Sequence, residues 1–414
     1  MALPQAERYP QAAHDISRPW GTFKVRSEAV YLGIVIGPFV TNQVMWATPL
    51  RNFSSRSYLL ATLGAGWMTL VRLFNMVLAS LLGYVELLAA PPADFDTVLS
   101  IALAKLFRRP HARIPAWVFE HLKALGFSAQ LTAIRTMNRA AMARAYKRSE
   151  GLIRVVSSDC DRAARRIGRD HSLVNLARPP FEDWHDRLMI TQLARNFAEI
   201  TSTTTLNLDN LPIKTQAAFH KALLPTYSDN DFIDTIRLRL TVAFARCPFP
   251  TDAGACAVGL FHTIRVVNRR LLPQMAVPIV KLAFNAWHLG PASEDAGRTC
   301  PFCGGPLTGS LTHLLACPGL FTTVTEVLPG CPWSEAPTVR LLELCGVGAD
   351  DSRRAIVGTT IDGIWATMVA NRRAARPARV FFRARLAAMA RLSPLVADLL
   401  DRAGFVHHPV EDPV

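Results

Sequence analysis

Cys300-Pro301-Phe302-Cys303-Gly304-Gly305-Pro306 opens a stretch that closes on His313 and Cys317, a C-x2-C-x9-H-x3-C spacing. Two thiols, then an imidazole and a third thiol, arrive within one short segment. That is how a chain surrounds a tetrahedral zinc ion. Gly304-Gly305-Pro306 lets the backbone turn sharply after the first pair. Residues 310–316 read as a short apolar helix that carries His313, with Cys317 one turn on. Four protein ligands leave no open position on the ion, so the expected role of Zn2+ is structural. The competing reading is a set of unrelated buried cysteines and a core histidine. Cys331 and Cys345 lie downstream and can stand in for a ligand, but neither belongs to a tight pair. Cys160, Cys247 and Cys256 read as plain core residues.

Downstream of this stretch the chain reads as helical over 355–375, 379–391 and 395–403, with a polar tail from His407. Upstream, helices are predicted over 213–223, 232–246 and 255–272. Further back, Trp117–Leu125 reads as a short helix ended by Gly126. Ser128 is the expected cap of a longer helix that turns Leu131, Ile134, Met137, Met142 and Ala145 inward. A helix is predicted from Phe95 to Phe107, capped near Asp94 or Asp96. From Thr41 to about Ala90 the pattern is helical, weakened locally by Gly64, Gly66 and Gly83 and ended by Pro91-Pro92. Phe23–Val25 and Val30–Ile36 read as short strands. The fold class is therefore mainly α after a short N-terminal β-hairpin.

The chain has 414 residues, enough for two to four domains, and half of it is hydrophobic, which excludes a disordered protein. The formal net charge of +14 is carried mostly by arginine. Such a balance favours phosphates, on nucleic acid or on an anionic membrane face. Residues 1–18 are polar and lack the apolar core of a signal peptide, so secretion is not expected. The greasiest stretch, 57–85, carries Arg72 at its centre, and the uncharged runs on either side are shorter than the ~18–20 residues that span a bilayer. It reads as buried helices rather than a membrane span. Membrane association through 57–85 is the rival reading.

Arg162, Arg165, Arg166 and Arg169 follow i, i+3, i+4, i+7 spacing and form one cationic face if 161–170 is helical. Arg372, Arg373, Arg379 and Arg383 form a second cluster. Both are candidate contacts to a phosphate backbone; the plainer reading is a solvated stripe. The Asp350-Asp351 pair invites a two-metal site, but no convincing strand precedes it, and capping of the following helix explains it better. Glu182-Asp183-Trp184-His185-Asp186 is dense in ionisable groups that cannot all face one point, so it reads as an exposed helix start. No complete catalytic constellation can be assembled.

Two further segments combine with the cysteine motif. The first is Tyr31-Leu32-Gly33-Ile34-Val35-Ile36-Gly37-Pro38, with Trp46, Leu50, Phe53 and Arg56. The second runs from Phe74-Asn75 through Gly83-Tyr84-Val85-Glu86 to Pro91-Pro92, then Trp117 and Leu122-Lys123-Ala124-Leu125-Gly126-Phe127. This order resembles the region after the catalytic palm in reverse transcriptases of non-LTR (LINE-type) retrotransposons. There a YLG strand is followed by a thumb-like helical region and a C-terminal Cys/His segment. Asn285, Trp287, Cys300, Cys303, His313 and Cys317 fall where that pattern expects them. The resemblance spans about 23–373 and implies four segments. These are a palm-edge hairpin with thumb-like helices (1–92), a basic helical region (93–280), a CCHC zinc module (281–345) and C-terminal helices (346–414). The family's palm aspartates lie upstream of the YLG strand, and none of the residues before Tyr31 supplies them. The implied chain is thus non-catalytic, with RNA or DNA as partner, a separate palm as a further partner, no small-molecule substrate, and a nuclear or cytoplasmic location. A retroelement remnant without selected function, or one part of a longer active polymerase, is the other reading. Trp287 and Phe302 are aromatics that could stack on bases, although core packing for Trp287 and metal-loop packing for Phe302 are the plainer expectation.

Overall fold

The structure, a computed structural model, describes residues 29–31, 34–36, 41–83, 85–107, 114–145, 147, 216–245, 247, 250–287, 299–305, 313, 316–331, 333–370 and 377–406. Residues 23–25, 161–170, 182–186, 372 and 373, for which strands, helices or contacts are predicted above, lie outside them, as does Cys160. The fold is mainly helical, as the sequence predicts. The apolar run 30–36 is not one strand. Ala29–Tyr31 pairs antiparallel with Ile34–Ile36, Val30 opposite Val35, so this run alone makes the hairpin. Among the described residues no helix is long and apolar enough to cross a membrane.

The chain gathers into two compact units that interleave in sequence. One comprises Met1–Leu59, Phe74–Ala102 and Thr132–Pro225. Here the helix Asn42–Thr62 supplies Trp46 and Phe53, both fully buried. Trp46 meets Phe95 edge-on at 5.5 Å, and Phe53 meets Phe74 edge-on at 6.0 Å, the arrangement favoured by ring quadrupoles. Asp94 starts the helix Phe95–Leu106, its carbonyl accepting from Thr97 and Val98 N–H. Buried Asn138 donates through its side-chain amide to the carbonyls of Glu86 (2.7 Å) and Ala89 (3.1 Å). Trp46 Nε1 donates to the same Ala89 carbonyl at 3.3 Å. These bonds satisfy the carbonyls at the end of the helix Val85–Leu88, which have no partner within it.

The other unit comprises Leu60–Leu73, Leu103–Leu131 and Thr226–Val414. Ser128 does not cap a helix, contrary to expectation. Residues 129–133 are not helical, the following helix starts at 134, and Ser128 Oγ points to Met68 Sδ at 3.9 Å. The competing force is visible close by: Leu131 N–H bonds to the Phe119 carbonyl at 2.8 Å, which ties 129–131, outside any helix, to the Ala116–Glu120 helix. Gly126, at φ +89°, ends the 122–125 turn as the sequence predicts.

The centre of this unit is the helix Ala253–Arg270, capped by Asp252 accepting from Ala255 N–H at 2.9 Å. It packs against the helices Asp229–Phe244, Pro273–Ala283, Pro337–Leu344 and Asp351–Ala370. Asp350 caps the last of these, accepting from Arg353 N–H at 2.7 Å, while Asp351 pairs with Arg270 at 2.7 Å. The predicted 255–272 helix stops at Arg270 because Pro273 begins a separate one, its ring at the first helical turn where no N–H is needed. Helix 351–370 approaches its neighbours through two glycines. A Cβ at Gly358 would overlap Val267, and one at Gly363 would overlap the ring of Phe382.

Asp362, on the same helix, is buried and accepts from Arg385 Nε at 2.8 Å. Burial raises its pKa, and the Arg385 guanidinium works against that rise. Removing the guanidinium leaves an uncompensated buried carboxyl. Arg385→Met is therefore expected to lower stability by about 3 kcal/mol at pH 7. Guanidinium denaturation measures it. A loss below ~1 kcal/mol would show that the pair behaves as a surface bridge.

Candidate metal centre

Cys300 and Cys303 sit on a tight turn. Gly304 N–H bonds back to the Cys300 carbonyl at 2.8 Å, and Cys300 N–H bonds to the Gly305 carbonyl at 2.7 Å. Gly304 takes φ +71°, a conformation an L side chain resists, so the glycine read from the sequence as a turn residue is required here. Cys317 is the residue before the helix Pro318–Val327, with Pro318 opening the first turn. This places its sulfur at a helix N-terminus, where the Leu320 N–H reaches it. The turn and the helix touch directly: a Cβ at Gly319 would overlap the Phe302 carbonyl. His313 and Ala316 are helical, in keeping with the predicted helix.

These elements bring all four predicted ligands together. One ligand atom each from Cys300, Cys303, His313 and Cys317 lies within 4.8 Å of the others. A tetrahedral ion bonded at ~2.3 Å to sulfur and ~2.0 Å to nitrogen needs edges of about 3.8 Å between sulfurs and about 3.5 Å between sulfur and nitrogen. Cys300 Sγ lies 3.7 Å from Cys317 Sγ, and Cys303 Sγ lies 3.5 Å from His313 Nε2. Two edges thus have the size of an occupied tetrahedron. Cys300 and Cys317 are buried, His313 is half-buried and Cys303 is exposed, so the cluster is anchored from inside and reaches the surface. This group can hold a metal ion.

The electrostatics favour a thiolate. The Cys317 thiol donates toward Cys300, and the Cys303 and Phe302 N–H groups add to it. Together they pull Cys300 down to about 4, against the opposing effect of burial. The same sharing pushes Cys317 upward, because one proton stays between the two sulfurs. A cation at the centre replaces that proton with a stronger charge, which is how metal binding expels thiol protons.

Among the described residues, the other cysteines do not join the cluster. Arg353 Nη1 donates to the buried Cys331 Sγ at 2.8 Å, and the free thiols of Cys345 and Cys256 hydrogen-bond in the core. Trp287 is core: buried, its Nε1 donates to the Pro278 carbonyl at 2.6 Å. Phe302 is half-buried on the metal turn. Of the candidate backbone-binding arginines, Arg162, Arg165, Arg166, Arg169, Arg372 and Arg373 lie outside the described residues. Arg379 is ion-paired to Glu326 at 2.9 Å. Arg383 is half-buried, with Nη2 3.5 Å from the Val406 carbonyl.

Two groups escaped the sequence reading. Lys281 is buried as the one charge on the mostly apolar helix Pro273–Ala283, and Glu86 is fully buried in an apolar run. A single charge within an apolar stretch was the available signal in each case. No family model matches the chain, and no curated protein or solved structure is found to be similar to it.

Proposed function

We propose that the chain is a non-catalytic nucleic-acid-binding protein that carries a structural zinc ion, related to the C-terminal region of non-LTR reverse transcriptases. The observation that carries the zinc reading is the pair of tetrahedral edges, 3.7 Å and 3.5 Å, made by three thiols and one imidazole. Soft thiolates with imidazole suit zinc over harder cations. Cys300, Cys303, His313 and Cys317 would hold the ion and leave no ligand position for a substrate or water. It would then supply a cross-link between the 300–303 turn and the 318–327 helix. The carboxylate pair most suggestive of catalysis is otherwise engaged, Asp350 as a cap and Asp351 with Arg270. A net charge of +14 supports a polyanionic partner, and a phosphate backbone is the commonest one. A separate polymerase palm remains part of this reading as a protein partner.

Metal analysis of purified full-length chain, with RNA and DNA binding followed by anisotropy over a salt series, tests both halves. One zinc per chain is expected. Affinity for duplex DNA should fall with log salt at a slope of about −0.9 per phosphate contacted. Protein free of zinc after purification without chelators would overturn the metal assignment. Binding indifferent to salt would overturn the backbone-binding assignment.

A further inference from the structure

We propose that Cys303 is a site of reversible oxidation, with Cys317 as the thiol that resolves it into a disulfide. The proposal rests on the zinc reading for what oxidation releases, though not for the thiol chemistry itself. Among the described cysteines Cys303 alone is exposed; Cys247 is half-buried, and Cys256, Cys300, Cys317, Cys331 and Cys345 are buried. The residues that follow leave its sulfur uncovered. Gly304 and Gly305 come directly after it, and neither brings a side chain. A Cβ at Gly305 would stand 3.4 Å from Cys303 Sγ, in ordinary contact, and one at Gly304 would meet nothing within 4 Å. A small oxidant therefore meets this sulfur before the two buried ones of the cluster.

A second thiol within reach separates reversible oxidation from damage. The sulfurs of Cys300, Cys303 and Cys317 lie within 4.8 Å of one another, and the Cys317 side chain hydrogen-bonds to that of Cys303. Hydrogen peroxide supplies the oxidising equivalents. The Cys303 thiolate attacks one peroxide oxygen: the S–O bond forms, the O–O bond breaks, and hydroxide leaves, giving a sulfenic acid. The Cys317 thiolate then attacks the Cys303 sulfur: the S–S bond forms, and the sulfenic oxygen departs as a second hydroxide. The two thiolates lose two electrons between them, and one peroxide is reduced to two hydroxides. A disulfide sulfur lacks the charge of a thiolate ligand, so only Cys300 and His313 remain to hold an ion. The ion is released, while the new bridge keeps the 300–303 turn tied to the residue that precedes the Pro318–Val327 helix. Reduction by a dithiol then restores the four-ligand set.

Hydrogen peroxide titration of the full chain tests it, with zinc release followed by a chromogenic chelator and disulfides mapped by mass spectrometry of non-reduced peptides. Release of about one zinc for each Cys303–Cys317 bridge is expected, with zinc taken up again after dithiothreitol. Cys256, Cys331 and Cys345 should stay reduced, being buried. Gly305→Leu keeps every ligand and covers the Cys303 sulfur, so it should bind zinc and release it to peroxide more slowly than the wild type. Cys303→His keeps four ligands, a set of two cysteines and two histidines, and should hold zinc through the treatment. A bridge through Cys300, a sulfinic acid at Cys303 with no bridge, or wild-type release rates in both variants would overturn the proposal. Zinc held through peroxide with Cys303 unmodified would overturn it too, and would leave the zinc reading intact. A chain purified without zinc that still forms the Cys303–Cys317 bridge would sustain the oxidation site and overturn the zinc reading.

Discussion

Replacing Cys300 with serine is expected to unfold the segment that joins the 300–303 turn to the Pro318–Val327 helix. The magnitude separates the two readings of this cysteine. As a merely buried thiol, Cys300 would exchange one small polar group for another, a change worth about 1–3 kcal/mol. As a structural zinc ligand it contributes to a binding free energy of about 10–16 kcal/mol in isolated zinc modules, which is folding free energy for the segment it cross-links. Losing most of that is comparable with the ~5–15 kcal/mol that holds a typical domain folded. The helix also packs through buried Leu320, Val324 and Val327 and pairs Glu326 with Arg379, so the loss falls chiefly on the 300–303 turn. Two backbone bonds close the turn, and the close approach at Gly319 is a contact that any opening would lose. Chelation of the wild-type chain should reproduce the variant. Limited proteolysis and near-ultraviolet circular dichroism, with and without EDTA, measure both. Chelation and Cys300→Ser should expose the same cleavage sites within 299–331, and zinc should restore protection only to the wild type. Equal protection in all four samples would rule out a structural ion.

The metal cluster was legible because its information is local. The spacing of Cys300, Cys303, His313 and Cys317 encodes a turn and a helix, and two such elements suffice to bring four ligands together. The long helices were legible for a similar reason: apolar periodicity, Pro273 at a helix start and the Asp350 cap are all short-range signals. Failures arise where a distant partner decides. Ser128 has the chemistry of a cap, but the Leu131 N–H finds the Phe119 carbonyl and the helix begins later. The run 30–36 alternates too little to announce a reversal of direction, and it pairs with itself. The ion pair of Arg379 with Glu326, far away in sequence, is likewise announced by no local pattern. Lys281 and Trp365 meet only after helices 273–283 and 351–370 pack, so no reading of either segment alone reveals their contact.

Glu86→Gln is expected to stabilise the protein increasingly as pH rises. Glu86 is fully buried, and neither carboxylate oxygen has a hydrogen-bond partner, while the nearby Asn138 amide is spent on backbone carbonyls. Burial without compensation lifts its pKa from 4.5 to about 8, so at neutral pH the folded chain carries this group as the uncharged acid. The unfolded chain gives up the same proton near pH 4.5. Between those two values the folded state binds one proton more than the unfolded state, and each pH unit therefore costs about 1.4 kcal/mol of stability. The cost is absent below pH 4.5, reaches about 3 kcal/mol at pH 7 and levels near 5 kcal/mol above pH 8. Glutamine cannot titrate, so the variant escapes this slope. Its amide brings buried donors of its own, a penalty of about 1–3 kcal/mol that does not vary with pH. The sign of the mutation should accordingly reverse: destabilising or neutral near pH 4, stabilising at pH 9. Urea denaturation of both proteins across that range reads the difference directly. Parallel stability curves would mean that Glu86 is ionised in the folded chain, and that a cation or water reaches its carboxylate.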